Sequence, residues 1–176
     1  MASQMFNFFD IAEQELLIQN AYIIPADNAI DFLEAKRDAG VKVRVLTNSL
    51  ASHDVPAVNS HYEPWRDDFI EAGVDLWEFR PDPAIQSSII DVAPVQAGFS
   101  GLHSKCAVAD RRYVFIGSMN LDPRSRAINT EMGAMVDSPE LAEDLARLIE
   151  RNMRGENSWH VQMDEKGKLF WENSEE

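Results

Sequence analysis

Residues 16–24 form an apolar run closed by Pro25, the pattern of a buried strand. The spacing then becomes helical. Asp27 is placed to cap a helix carrying Phe32, Leu33 and Ala35, and Gly40 stops it. Val41, Val43 and Val45 alternate with Lys42 and Arg44, which predicts the next strand. Residues 62–72 return to helix, with Trp65, Phe69 and Ile70 near one face and Gly73 at the end, and residues 74–79 form a third strand. This strand–helix–strand rhythm predicts an α/β domain, a mixed β-sheet flanked by helices on both faces.

Further along, residues 80–101 show no period and contain three prolines and two glycines, which predicts a long loop. Residues 102–109 and 113–116 read as strands around Asp110-Arg111-Arg112, and residues 130–136 as another. Ser138-Pro139-Glu140 opens a helix whose expected buried stripe is Leu141, Leu145, Leu148 and Ile149. Residues 159–163 and 168–171 predict a hairpin, with Trp159 and Trp171 as cross-strand partners and membrane-interface anchoring as the alternative. The expected organisation is a linker or cloning remnant at 1–8, one domain at 9–154, and a hairpin-like appendage at 155–176.

A length of 176 residues suits one domain, or one half of a duplicated one. The lone cysteine, Cys106, excludes an intrachain disulfide framework and is expected in the core. No apolar run reaches the roughly 18 residues of a spanning helix, and the first residues lack the pattern of a secretory signal. The net charge of −14 argues against non-specific binding to a phosphate backbone, so nucleic acid is not a favoured partner. Residues 101–136 differ from the rest, with three acids against five bases. That window suits a single anionic group.

The window holds His103, Lys105, Ser118 and Asn120. On a strand, His103 and Lys105 share one face and Cys106 takes the other. An imidazole serves as nucleophile or proton shuttle near neutral pH, and an ammonium offsets charge on phosphate oxygens. Gly117 lets backbone approach a ligand, while Ser118 and Asn120 add donors. A nucleophilic histidine needs its second ring nitrogen held, and Glu131 is the candidate carboxylate. Asp110 falls on the opposite strand face from His103, which points to a structural hydrogen-bonding role. Asn48, Ser49 and Asp54 follow a strand, where α/β pockets form, although turn formation explains them equally well. Arg124 and Arg126 suit either lipid phosphate or surface acids. His53 and His61 suggest no metal pair, and no metal or cofactor is expected.

His103-x-Lys105-x4-Asp110-x6-Gly117-Ser118-x-Asn120 resembles the HKD motif of the phospholipase D superfamily. The flanks, residues 46–50, Asp54, Tyr62 and residues 117–125, resemble the C-terminal half of bacterial cardiolipin synthases, especially the C type. Residues 22–25 are similar to a Tyr-Phe-x-Pro segment of that half. The resemblance covers roughly residues 10–172. It implies a phospholipase D-like half-domain, two motifs around one site, and a phosphohistidine intermediate. It also implies that His103, Lys105, Asp110 and Glu131 belong to the catalytic set, with Lys105, Ser118 and Asn120 on phosphate and Asn48, Ser49 and Arg124 near the pocket. The implied substrate is a phospholipid, phosphatidylglycerol or phosphatidylethanolamine, on the cytoplasmic side of a bacterial inner membrane with peripheral attachment.

This chain carries one motif, since His53, His61 and His160 lack a lysine two residues later. The second motif must come from the rest of a longer chain or from a second copy. An isolated half is expected to be nearly inactive, because nucleophile and acid must be different groups. The alternatives are a homodimeric phosphodiesterase, nuclease or phospholipase, of the same superfamily, and an inactive structural half-domain.

Overall fold

The computed structural model describes residues 2–26, 28–89 and 98–173. In chain order the elements are α1 (Ala2–Asp10), β1 (Glu15–Asn20), α2 (Ala29–Asp38), β2 (Lys42–Asn48), α3 (Pro56–Tyr62), a single 3₁₀ turn (Glu63–Trp65), α4 (Arg66–Glu71), β3 (Asp75–Phe79) and α5 (Gln86–Ile89). They continue with β4 (Lys105–Ala109), β5 (Tyr113–Gly117), α6 (Pro123–Ala127), β6 (Gly133–Asp137), α7 (Pro139–Asn152), β7 (Ser158–Met163) and β8 (Leu169–Glu172). The strands form one sheet in the order β6-β5-β4-β1-β2-β3-β7-β8. The pairs β1–β2 and β2–β3 are parallel, and the other neighbours are antiparallel.

Alternate residues of the central strands feed two cores. Leu16, Ile18, Val43, Val45, Leu76, Ala107 and Phe115 pack with α1, α2 and α4. Leu17, Leu46, Trp77, Cys106, Val108 and Val114 pack under α7. Both faces are covered, so β1 and β4 are buried at nearly every position rather than at alternate ones. The expected mixed sheet with helices on both faces is the observed architecture.

Several boundaries differ from the expectation. Helix α2 follows Asn28, and the proposed cap Asp27 lies outside the described residues. The helix expected over 62–72 starts at Pro56 and is broken by the 3₁₀ turn. The expected loop at 80–101 contains α5, and its residues 90–97 lie outside those described. On α7 the buried stripe is Ala142, Ala146, Ile149 and Asn152, with Leu141 and Leu148 exposed. Small alanines let α7 approach the sheet closely, so the leucines are pushed to the flanks.

The expected linker at 1–8 is a core helix, with Met5, Phe8 and Phe9 buried against the sheet. Its three-to-four residue apolar spacing was the available signal. Residues 155–176 are not an appendage through Glu172, because β7 pairs with β3 and extends the main sheet. Trp159 and Trp171 are not cross-strand partners, since Trp171 faces Val161. Trp159 lies under the Arg80 guanidinium, and the Trp171 indole N–H donates to buried Glu78 at 2.9 Å.

Candidate active site

The site is built where β1 leaves the sheet beside the start of β4. Asn20 ties two segments together, donating to the Met119 carbonyl and accepting from the amides of Tyr22 and Leu121. Backbone bonds between Ile24 and Leu121, and between Leu121 and Tyr22, complete the seam. These contacts bring Tyr22 against the motif. The Lys105 ammonium lies 5.8 Å from the Tyr22 ring centre, and the His103 ring stands edge-on to it at 6.5 Å. The Tyr22 hydroxyl donates to Asp54 at 2.6 Å. Burial, then Asp54, pushes the phenol pKa far up, so Tyr22 stays protonated.

His103 does not lie on a strand, because β4 begins at Lys105. Its side chain is exposed and has no hydrogen-bond partner among the described residues. Lys105 is buried, and its ammonium donates to the His103 carbonyl at 2.5 Å. Burial lowers the Lys105 pKa, while Asp54, Glu131 and Asp122 favour the charged form. Cys106 points to the opposite core, where burial raises its thiol to about 11 and leaves it unreactive.

Ser118 and Asn120 sit in the loop after β5. Asn120 carries a buried amide oxygen with no partner among the described residues. A buried, unsatisfied amide is costly unless a ligand or water completes it. Ser118 donates to Glu131 at 2.5 Å, and Asn129 donates to the same carboxylate at 3.2 Å. These bonds, Ser118 first, hold the Glu131 pKa below the usual range. The expected pairing of Glu131 with His103 is not made. The Glu131 carboxylate is engaged by Ser118 and Asn129 instead, and its charge favours the ammonium form of Lys105. Gly117 also serves a different purpose. A Cβ there would meet the Met132 carbonyl at 2.8 Å, so the close approach is to the neighbouring strand, not to a ligand.

Asp110 is corrected from the catalytic set. It lies at the far end of β4 from His103, in the left-handed region at φ 53°. Its carboxylate accepts the amides of Glu13, Gln14 and Glu15 at 2.8–2.9 Å. Burial would raise its pKa, but these amides and Lys36 bring it below the usual range. A depressed folded pKa stabilises the protein above the unfolded value near 3.8, and that stability is lost as the pH falls through the folded pKa. Asp110→Asn is expected to cost about 1 kcal/mol at pH 7. It should also flatten the fall in denaturant midpoint below about pH 4, measured by urea titration. An unchanged acid limb would contradict this.

The pocket assignments also change. Asn48 and Ser49 are buried and internally satisfied. The Asn48 amide donates to the carbonyls of Ala21 and Leu102, and its oxygen accepts the Leu102 N–H at 2.7 Å. Asn48 therefore anchors the backbone immediately before His103 and acts on the site indirectly. Ser49 exchanges bonds with Ser52 within a turn. Arg124 does line a cavity, of about 500 Å³, together with Tyr22, Asn120 and Asn129. His53 is buried and stacks on Tyr22 with ring centres 5.1 Å apart, and burial lowers its pKa. Tyr22 and His53 escaped assignment as site residues from sequence. Tyr22's position before Pro25 was the available signal, whereas the stacking of His53 has none in the sequence. Among the described residues, no cluster of histidine, cysteine or carboxylate side chains is arranged to hold a metal, and no helix is long and apolar enough to cross a membrane.

The same fold recurs in solved structures. Nuc, a phospholipase D family member from Salmonella typhimurium, superposes with a TM-score of 0.64 at 17% identity, covering 89% of this chain and 88% of that one. The phosphatidylserine synthase of Haemophilus influenzae Rd KW20 gives a TM-score of 0.62 at 16% identity over 85% of this chain and 35% of its own. Fold and motif together define a phospholipase D-like domain. Residues 5–153 match the family model "Cardiolipin synthase, PLD-like domain", and the chain belongs to that family. Cardiolipin synthase C of Escherichia coli K12 is 32% identical over 174 residues, 97% of this chain and 36% of that protein. Cardiolipin synthase A of Buchnera aphidicola subsp. Acyrthosiphon pisum (Tuc7) is 26% identical over 134 residues, 76% of this chain and 24% of that protein. The chain thus spans about a third or less of these curated relatives.

Proposed function

We propose that this domain supplies one half of a two-motif site that transfers a phosphatidyl group, forming cardiolipin from phosphatidylglycerol. The observation that carries the reading is the grouping of an unpartnered His103 ring and buried Lys105 around Tyr22, beside the loop that holds Ser118 and Asn120, with one such set in the chain. His103 attacks phosphorus and forms a P–N bond as the bond to the leaving glycerol oxygen breaks. A histidine of the second half gives that oxygen its proton. The same histidine then takes the proton from the hydroxyl of a second phosphatidylglycerol, whose oxygen displaces His103. Two phosphatidylglycerols become cardiolipin and glycerol. The Lys105 ammonium, the Asn120 amide NH2 and, once it turns from Glu131, the Ser118 hydroxyl donate to the phosphate oxygens.

The second half has a natural seat. Edge strand β6 is exposed at all five residues, and Ile116, Ile128, Met132 and Met135 stand out around it, with Ile128 77% and Met132 76% exposed. Unprotected apolar edges mark interfaces. Ser118 and Glu131 lie on the rim of this surface. Membrane attachment is peripheral and on the cytoplasmic side in this reading, and an acidic surface requires the site face or other parts of a longer protein to meet anionic lipid.

The test uses phosphatidylglycerol vesicles. A two-motif protein containing this half is expected to release glycerol and accumulate cardiolipin, while the 176-residue chain alone does neither. Absence of cardiolipin from the two-motif protein would overturn the proposal. The second reading, a homodimeric phosphodiesterase, is favoured by the match to 88% of the length of Nuc, a chain of similar size. A stable dimer of the 176-residue chain by light scattering, together with phosphodiester hydrolysis, would select it.

A further inference from the structure

Tyr22 meets both motif residues, and two segments distant in sequence hold it in place. Its carbonyl accepts the Leu121 N–H at 3.1 Å, next to Asn120. Its hydroxyl donates to Asp54 at 2.6 Å. The His53 ring stacks on it, with centres 5.1 Å and planes 12° apart. The His53 side chain is 2% exposed, and burial lowers its pKa. A neutral imidazole therefore forms this wall and adds no positive charge beside Lys105. The groups that Tyr22 touches are held less firmly. The His103 ring is exposed, with its edge-on approach to Tyr22 at 6.5 Å. The Lys105 ammonium donates to the His103 carbonyl, leaving two of its three N–H groups for phosphate. It lies 5.8 Å from the Tyr22 ring centre, within the range of a cation–π contact.

We propose that Tyr22 and Asp54 are positioning residues: the Tyr22 ring sets where the Lys105 ammonium and the His103 ring stand, and Asp54 fixes that ring. The inference rests on the reading of His103 as nucleophile and Lys105 as phosphate ligand. Asp54 also acts on Lys105 through its charge. The titratable groups facing Lys105 are Tyr22 after β1, Asp54 after β2, Asp122 before α6, Glu131 before β6, and His103 two residues earlier. Burial disfavours the ammonium form, and Asp54 is the strongest of the three carboxylates that oppose this. Removing the Asp54 charge therefore lowers the Lys105 pKa, and the ammonium is lost at a lower pH. The Asp54 side chain is 54% exposed, so the effect is read at low ionic strength.

Two measurements test this. In the two-motif protein on phosphatidylglycerol vesicles, Tyr22→Leu is expected to lower kcat by about 100-fold, the effect of misplacing a reacting group by about 1 Å. The loss should fall on kcat rather than KM. Tyr22→Phe keeps the ring over Lys105 and should retain about a tenth of the rate or more. Asp54→Asn keeps an oxygen that accepts the Tyr22 hydroxyl but removes the charge. It should move the alkaline limb of the kcat profile to lower pH, which a merely structural role would leave in place. The second measurement needs no turnover. In the 176-residue chain, the Lys105 ε-carbon, one of five lysines, is titrated by NMR. Asp54→Asn should titrate at lower pH than the wild type. Tyr22→Leu within about threefold of the wild-type rate, or Lys105 titrating identically in Asp54→Asn and the wild type, would overturn the proposal. A lowered Lys105 titration with no cardiolipin from the two-motif protein keeps the positioning and removes the transferase reading. Cardiolipin formation with an unmoved Lys105 does the reverse.

Discussion

His103→Asn is expected to lower cardiolipin formation by the two-motif protein by about four powers of ten. The proposed mechanism makes the imidazole the nucleophile, and an amide cannot form the P–N bond, so the expected loss is large. The fold should be spared. The ring is exposed and makes no hydrogen bond among the described residues, and its one contact of note is the edge-on approach to Tyr22. A melting temperature within about 2 °C of the wild type is therefore expected. The measurement is cardiolipin formed from phosphatidylglycerol vesicles, with melting followed by circular dichroism. A variant that keeps more than a tenth of the rate would remove His103 from the nucleophile's role. Lys105→Met is a poor substitute for this test, because Lys105 is buried and its loss would disturb packing as well as charge.

Arg66→Met should produce the largest loss of stability, about 3–5 kcal/mol. Glu78 is 2% exposed, within the sheet on β3. Its carboxylate receives Arg66 at 2.6 Å, the Tyr62 hydroxyl at 3.0 Å and the Trp171 indole at 2.9 Å. Removing Arg66 leaves a buried charge with only neutral donors. For a domain of this size the melting temperature should fall by roughly 10 °C. Arg66→Met combined with Glu78→Leu should recover most of that loss, because a buried pair replaced by apolar groups is often near neutral. Denaturant titration of the two single variants and the double variant measures this. A loss below about 1 kcal/mol for Arg66→Met would show that water reaches the carboxylate. The same cluster explains why β8 belongs to the domain, since Trp171 donates into the centre of this network.

The motif was legible because its chemistry is local. His103, Lys105, Ser118 and Asn120 lie within eighteen consecutive residues, around one hairpin, and strand alternation correctly sent Cys106 to the opposite core. The α/β class was legible for the same kind of reason, since β1, β2 and β3 each carry their own apolar run and are joined by helices. Misreadings arose where a residue's partner is distant in sequence. Asp110 looked like part of the motif's chemistry, but its partners are backbone amides 95–97 positions away. Asn48 and Ser49 looked like pocket residues, but they cross-link buried backbone. Residues 1–8 read as a linker, but Met5 and Phe8 pack in the core.

By itself the amino-acid order determined the local elements, the acidic surface with one positive window, the family motif, and the fact that one motif is present. Hydrophobic period and residue spacing encode these, because they depend on neighbours a few positions apart. Only the tertiary structure decided which groups meet. Tertiary packing turned Glu131 to Ser118 rather than His103, set Tyr22 over Lys105 and left the Asn120 amide oxygen without a partner among the described residues. Strand order and these contacts follow from how two cores close around one sheet, a property of the whole packing that no single segment carries.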